Sequence, residues 1–282
     1  MLALGRAWHD AHQQRERAER HFGSFNSFKI RLNSAEIHLN TDTIAMKKNS
    51  QRVIMISGAN RGIGKAIREK LQSENYLLSL GLRNPGAFRD SMEKDESENV
   101  HLHQYDARDP ESAASWVRST LEHFGRIDGL VNNAGILHPM GLEDDHEELL
   151  DDMWEVNAKA PLRLTRLTFP HLRKSGRGRV IDVISMSGKR VKGNWIGYSM
   201  SKYAALAASR TARMQGWDDG IRVTAICPGF VQSDMTLENA PNYPQEQMSR
   251  PQDLALIVST LLQLDIESAI PEVMMNCVFE AM

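Results

Sequence analysis

From Arg52 onward the sequence predicts an α/β fold, with a mostly parallel sheet covered on both faces by helices. Short apolar runs alternate there with stretches of helical period, and strands alternating with helices build a parallel sheet buried between helical layers. A glycine-rich turn joins the first apolar run to the first helical stretch. No internal repeat or change of composition interrupts the pattern, so one domain is expected over residues 52–282.

Val53-Ile-Met-Ile56 reads as a buried strand, and Gly62 to Ser73 as a helix with Ile63, Ile67 and Leu71 on one stripe. Tyr76 to Leu82 is the second strand and Val100 to Tyr105 the third, ending at Asp106. Pro110 opens a helix that reaches Phe124, proline being favoured in a first helical turn. Gly129 to Asn132 is the fourth strand, His146 to Lys174 a long helical region with a break expected near Pro161, and Arg179 to Ser185 the fifth strand. A helix from Tyr198 to about Trp217 stops near Gly220, before the sixth strand, Ile221 to Cys227. Pro251 to Leu264 is the last helix and Met274 to Phe279 the last strand.

Residues 1–51 differ from the rest. They mix Arg15, Arg17 and Arg20 with Glu16 and Glu19, then turn Ser-, Asn- and Thr-rich. No apolar core of a secretory signal is present, and the acids argue against an organelle transit peptide. Met46-Lys-Lys-Asn-Ser reads as a natural beginning, so residues 1–51 are expected to be a disordered extension or a misassigned start, with a partner-binding arm as the alternative.

The composition narrows the function classes. The chain has 282 residues, a net charge of −2 and a pI near 6.6, which gives no basic excess for nucleic acid. No run approaches the ~18 apolar residues of a membrane-spanning helix. Cys227 and Cys277 lie in apolar contexts without metal spacing, as expected of reduced thiols in a cytoplasmic protein. His101 and His103 are the one close histidine pair, with no third ligand in view.

Two stretches carry chemistry. In Ser57-Gly58-Ala59-Asn60-Arg61-Gly62-Ile63-Gly64 the glycines permit a tight turn and let backbone N–H groups and a helix N-terminus meet a pyrophosphate. In Tyr198-Ser-Met-Ser-Lys202 the two polar side chains share a helix face. A nearby ammonium favours the phenolate, so Tyr198 is expected to have its pKa lowered from about 10. Ser185 ends the apolar run before that helix and can present a hydroxyl at a strand's C-terminal edge.

The Gly-x-x-x-Gly-x-Gly spacing resembles the short-chain dehydrogenase/reductase family in its single-domain branch. Asp106, Asn132-Asn133-Ala134-Gly135, Asn157, Ser185, Tyr198-x-x-x-Lys202 and Pro228-Gly229 follow in the family's order. The resemblance implies a Rossmann-type, doubly wound sheet of seven strands, order 3-2-1-4-5-6-7. It implies hydride transfer between a nicotinamide cofactor and a small carbonyl or alcohol, with Asn157, Ser185, Tyr198 and Lys202 as catalytic set. Gly58, Gly62 and Gly64, with Asn60, Arg61 and Ile63 beside them, would hold the pyrophosphate; Asp106 would contact the adenine, and Asn132, Ala134 and Gly135 would line the adenosine side. Tyr198 and Lys202 would hold the nicotinamide ribose, and Pro228, Gly229, Val231 and Ser233 would border the nicotinamide.

Ser187 lies close to Ser185, but Gly188 and the spacing to Tyr198 favour Ser185. The family's usual threonine is Ser57 here, and its glycine pair before the last strand is replaced by Ala269-Ile-Pro-Glu-Val. The polar segment from Asp234 to Pro251 would make a small lid, and Trp195 either lines the pocket or simply packs. Where an NAD enzyme carries an acid after the second strand, this chain has Gly81-Leu-Arg83-Asn84. Arg83 with Arg61 therefore predicts NADP(H) over NAD(H). The long helical region from His146 and the helix after Tyr198 (Ala204, Ala205, Ala207, Ala208) carry apolar surface beyond one stripe, and similar proteins pair through these helices, which implies a homotetramer. A nucleotide-binding regulatory protein without turnover, and a partner-binding protein using the N-terminal arm, stay open as alternatives.

Overall fold

A computed structural model describes residues 28–32, 35–39, 52–89 and 99–278. The chain divides into two compact units, Met1–Lys48 and Asn49–Met282. In the first, β1 (Phe28–Leu32) pairs antiparallel with β2 (Ala35–Leu39). Both segments alternate apolar and polar residues, a period-2 signal inside the stretch read as irregular. The rest of the expected extension lies outside the described residues.

The second unit runs β3 (Val53–Ser57), α1 (Gly62–Ser73), β4 (Leu77–Leu82), α2 (Pro85–Arg89), β5 (Val100–Gln104), α3 (Pro110–Phe124) and β6 (Gly129–Asn132). It continues with α4 (Glu147–Trp154), a π-helical turn (Glu155–Lys159), α5 (Ala160–Ser175), β7 (Gly178–Val183), a 3-10 turn (Met186–Gly188) and α6 (Ile196–Gly216). β8 (Ile221–Pro228), α7 (Asp234–Asn239), α8 (Pro251–Gln263) and β9 (Glu272–Met275) complete it. The strands lie in the order β5-β4-β3-β6-β7-β8-β9, every pair parallel. Counted from β3, this is the expected 3-2-1-4-5-6-7.

The sheet is buried on both faces, so its strands need apolar residues at nearly every position. On one side Ile54 and Ile56 of β3 and Leu78 and Leu80 of β4 pack with Ile67 and Leu71 of α1 and Leu254 and Val258 of α8. On the other, Met55 packs with Trp116 of α3, Leu130, Leu164 of α5 and Val180. Gly81 is required there, because a Cβ would come within 2.7 Å of the Trp116 ring. Trp116 Nε1 donates to Ser79 Oγ at 2.9 Å, which satisfies the indole inside the core.

β4 and β6 flank β3, so the crossovers after β3 and β5 leave in opposite directions. That reversal opens a crevice at the C-terminal ends of β3 and β6.

Two expectations need correction. The region from His146 does not break at Pro161: α4 passes through the π-helical turn into α5, with Pro161 in α5's first turn, where a missing N–H costs little. The last strand is Glu272–Met275, not Met274 to Phe279. It pairs with β8 in register, and β8 ends at Pro228 opposite Met275, so the ladder stops there; Phe279 lies outside the described residues. The segment after Ser233 is partly helical, because Ser233 Oγ caps α7 by accepting from Thr236 N at 3.3 Å.

Candidate active site

The glycine-rich loop follows β3 and bends back over the sheet edge. Gly58 (φ +69°) and Gly62 (φ +54°) occupy left-handed conformations that disfavour other residues. Gly64 serves another purpose: a Cβ there would lie 2.1 Å from the Gly58 carbonyl oxygen, so its hydrogen lets α1 approach the loop. Arg61, at the N-cap, gives no side-chain cap to α1, leaving the first backbone N–H groups for an anion.

Ser57 and Asn133 brace this loop. The Ser57 hydroxyl accepts from the N–H groups of Asn133 (3.0 Å) and Ala134 (3.1 Å). The hydroxyl common to serine and threonine is what the position uses. Asn133 Nδ2 donates to the carbonyl oxygens of Ser57 (3.0 Å) and Gly58 (2.9 Å), tying the end of β6 to the loop.

The resulting cleft has a volume of about 750 Å³, within the ~300–1,000 Å³ of ligand-binding clefts. Gly58, Asn60, Arg61, Gly62 and Ile63 line one end, with Arg83 and Asp106 at the rim. Ala134 and Gly135 form a wall, and Pro228, Gly229, Val231 and Ser233 close the far end with Ser185, Tyr198 and Lys202. A glycine loop, exposed helix N–H groups and Arg83 fit the phosphates of a dinucleotide, and a Cβ at Gly229 would require the Asn276 side chain to move, its Oδ1 lying 2.2 Å away.

α6 sets the reactive side chains. Tyr198 and Lys202 stand one turn apart, both buried, with Lys202 Nζ 5.6 Å from the Tyr198 ring centre. The ammonium donates to the Val183 carbonyl oxygen at 3.2 Å. Ser185 is extended beyond β7 and hydrogen-bonds Tyr198. Asn157, in the π-helical turn, accepts from Ile136 N at 2.9 Å and donates to Ile136 O at 2.9 Å and Ser201 Oγ at 3.1 Å. Asn157, Lys202, Asn132 and Asp182 line a cavity of about 20 Å³ behind the cleft, room for one water molecule.

Burial dominates the electrostatics. It pushes the Tyr198 phenol up to about 12, with the Ser185 hydrogen bond acting in the opposite direction. It draws Lys202 down to about 8, while Cys227 and Asp182 favour the ammonium. The expected lowering of the phenol is therefore corrected: desolvation of the phenolate sets the direction and outweighs the Ser185 hydrogen bond. At neutral pH the site holds a protonated phenol and a largely protonated amine.

The short chain dehydrogenase family model matches residues 52–244. The chain belongs to the short-chain dehydrogenase/reductase family. Members of this family are oxidoreductases that use a nicotinamide cofactor at carbonyl and alcohol carbons. The chain is 39% identical over 230 residues to an agropine synthesis reductase of Rhizobium rhizogenes, covering 81% of this chain and 53% of that protein. It thus spans about half the length of that relative. Among solved structures it resembles an alcohol dehydrogenase of the archaeon Thermococcus sibiricus complexed with 5-hydroxy-NADP, at 30% identity and TM-score 0.73, covering 82% of this chain and 98% of the other. It also resembles levodione reductase, at 25% identity and TM-score 0.72, covering 79% and 95%.

Within this short-chain dehydrogenase/reductase fold, two of the residues expected at the cofactor do not line the cleft. Gly64 lies under the loop, and Asn132 turns inward, where its Nδ2 donates to Asp182 Oδ1 (2.7 Å) and Thr165 Oγ1 (3.1 Å). Asn132 pairs in register with Asp182 across β6 and β7, so two polar side chains inside a dry sheet bond each other. Asn133 reaches the loop in its place. Arg61 already has a partner at the cleft, Nη1 pairing with Asp234 Oδ2 at 3.0 Å.

A smaller pocket of about 60 Å³ adjoins the cleft and shares Ser185, Tyr198 and Gly229 with it. Trp195 both lines this pocket and packs edge-on against Phe230, ring centres 6.0 Å apart. Sequence reasoning missed Phe230, Asn276, Arg190 and Lys192 in its wall; only the proximity of Arg190 to Ser185 in the chain gave any signal. His101 stacks on His123 (4.6 Å) and bonds Ser119 Oγ at 2.8 Å. Among the described residues no group of three His, Cys, Asp or Glu side chains could hold a metal ion.

Proposed function

We propose that this chain is an NADP(H)-dependent oxidoreductase that reversibly interconverts a small carbonyl compound and its alcohol. The observation that carries the reading is that the cofactor-sized cleft and the small pocket meet at Ser185, Tyr198 and Gly229. A bound nicotinamide supplies or accepts the hydride.

The protein's part is the proton and its orientation. Tyr198, protonated at neutral pH, gives its proton to the oxygen that becomes an alcohol; in the reverse direction the phenolate takes it back. Ser185 donates a hydrogen bond to that oxygen, where negative charge develops. Lys202 places positive charge near the phenol and, lining the cleft, would hold the cofactor's ribose. Asn157 holds a water that connects Lys202 to solvent, in keeping with the one-water cavity beside both side chains.

NADP(H) is preferred because Arg83 lines the cleft at the end of β4, where an NAD enzyme carries an acid. The NADP analogue bound by the Thermococcus sibiricus relative supports this. The protein acts in the cytoplasm as a homotetramer; among the described residues no helix is long and apolar enough to cross a membrane. Exposed Trp154, Val191, Met200 and Tyr203 form an apolar surface along α4 and α6 suited to self-association.

A panel of carbonyls and alcohols, followed by absorbance of the reduced cofactor, tests the reading. Turnover with NADPH on at least one substrate is expected. Tight NADPH binding without turnover would favour a regulatory protein instead.

A further inference from the structure

Asp182 carries a buried carboxyl that the proton transfer described above leaves unused. It sits in β7 between Ile181 and Val183, 6% exposed. Its bonds are those of an acceptor: Asn132 Nδ2 donates to Oδ1 at 2.7 Å, and the Ser209 side chain hydrogen-bonds the same carboxyl. An ionised carboxylate only accepts, so both bonds suit the charged form. Ser209 and Lys202 stand about two helical turns apart on α6 and so face β7 together. Lys202 Nζ donates to the carbonyl oxygen of Val183, the residue after Asp182, at 3.2 Å. Asp182, Lys202 and Asn132 line the cavity of about 20 Å³, and the buried Asn132 Oδ1 has no partner. Burial raises the Asp182 carboxyl, against the Ser209 and Asn132 bonds and the Lys202 charge. The other titratable groups around Lys202 are uncharged near neutral pH. Burial raises the Tyr198 phenol on the same helix to about 12, and it pushes the Cys227 thiol of β8 up. Asp182 is therefore the anion that faces the lysine among the described residues.

We propose that Asp182 is a positioning residue, the buried counter-charge that holds Lys202 as an ammonium beside the cofactor. It acts across the cavity, where one water has Asn132 Oδ1, the carboxylate and the ammonium as polar partners, close to the usual ~3 of a buried water. A buried amine without an anion gives up its proton more readily, because desolvation disfavours the charged form. Removing the carboxylate charge therefore lowers the pKa of Lys202, and whatever needs the ammonium fails at lower pH. Holding the ribose of NADPH is one such task and rests on the cofactor cleft alone. Carbonyl reduction is the other and rests on the oxidoreductase reading above.

The test compares the full chain with its Asp182→Asn variant, which keeps an acceptor for Asn132 and a polar partner for Ser209 while removing the charge. NADPH affinity by fluorescence titration, and kcat/KM for carbonyl reduction, are followed across the neutral and alkaline range. Both should decline with rising pH in the wild type, near the lysine's value of about 8. In Asp182→Asn the decline should come roughly one pH unit lower or more, the scale on which an adjacent opposite charge moves a pKa. Lys202→Met gives a second reading by thermal melts, because it leaves the carboxylate without its counter-charge. Adding Asp182→Asn to Lys202→Met should raise the melting temperature, whereas a carboxyl that served hydrogen bonding alone would cost stability in both backgrounds. That pair tests the charge even where Asp182→Asn alone fails to fold. A decline at the wild-type pH in Asp182→Asn, or a lower melting temperature for the double variant than for Lys202→Met, would overturn the proposal. A shifted NADPH affinity without turnover of any carbonyl would keep the counter-charge and remove the oxidoreductase reading.

Discussion

Lys202 Nζ lies 5.6 Å from the centre of the Tyr198 ring and donates to the Val183 carbonyl oxygen at 3.2 Å. The lysine is thus positioned by β7 as well as by its own helix. The Ser185 hydrogen bond acts on the phenol hydroxyl itself, while the lysine is tied to the end of β7. That division of labour sets the first prediction.

Tyr198→Phe removes only the transferable proton. Turnover should fall by roughly 10²–10⁴, the usual contribution of a positioned acid or base, with NADPH affinity nearly unchanged. Lys202→Met should lower both, because the lysine also borders the cleft. Fluorescence titration with NADPH, alongside steady-state rates on a validated substrate, separates the two. A Tyr198→Phe enzyme with most of its activity would disprove the proposed proton donor.

The buried lysine also predicts a dependence of stability on pH. Its pKa is drawn from 10.5 down to about 8 on folding, chiefly by burial. Between those values the unfolded chain holds more protons than the folded one, so unfolding free energy rises with pH across that window. Tyr198 has the opposite sign, because its pKa is raised from 10.0 to about 12 and its contribution is lost as pH climbs through that range. Urea unfolding at several pH values between 8 and 10 should therefore show a steeper rise for wild type than for Lys202→Met. Parallel curves would mean that the amine is not desolvated.

Gly64 is predicted to be intolerant of the smallest substitution. A Cβ would meet the Gly58 carbonyl oxygen at 2.1 Å and Asn133 Nδ2 at 2.4 Å. Gly64→Ala must therefore shift the loop backbone and break Asn133's grip. A loss of about 1–3 kcal/mol is expected from overpacking, together with at least an approximately tenfold loss of NADPH affinity. Gly86→Ala is the control, since its nearest neighbour is the Asn84 side chain at 3.7 Å. Equal behaviour of the two variants in thermal melts and NADPH titrations would refute the packing argument.

Features that depend on local spacing were legible in the sequence. The covered parallel sheet follows from alternation, the Tyr198 and Lys202 pair from a helix period, and the loop from its glycines, while the strand order is what the family resemblance implies. Features joining distant segments were not. Asn132 ends an apolar strand just before a second asparagine, and its inward turn depends on Asp182, a partner in another strand that only the register reveals. The pairing of Arg61 with Asp234 joins the loop after β3 to α7, near opposite ends of the domain. The direction of the Tyr198 shift was missed because charge proximity can be read from i,i+4 spacing, whereas the depth of burial depends on everything packed around α6.

We propose that residues 1–45 are dispensable to the dinucleotide-binding unit. Asn49–Met282 forms its own compact unit with its own core. A chain beginning at Met46 should keep the melting temperature and turnover of the full chain. Loss of soluble protein, or a melting temperature several degrees lower, would show that the unit depends on what precedes it.

The last prediction concerns the cofactor's ribose phosphate. Arg83 is exposed at the end of β4 and lines the cleft, whereas Arg61 is already held by Asp234, with side chains 59% and 57% exposed. An exposed pair of that kind is worth about 0–1 kcal/mol, so a phosphate dianion can compete for Arg61 but must first displace a carboxylate. Arg83 should therefore carry most of the discrimination. Arg83→Ala is expected to weaken NADPH binding by roughly tenfold to hundredfold, the scale of a hydrogen bond to a charged group, while NADH binding stays constant. Arg61→Ala should cost less, and Asp234→Asn should tighten NADPH binding by releasing Arg61 and removing a negative charge near the phosphate. Titrating both cofactors against wild type and the three variants gives the comparison. NADH bound as tightly as NADPH by wild type would reject the preference, and an unchanged Arg83→Ala would reject the residue assigned to it.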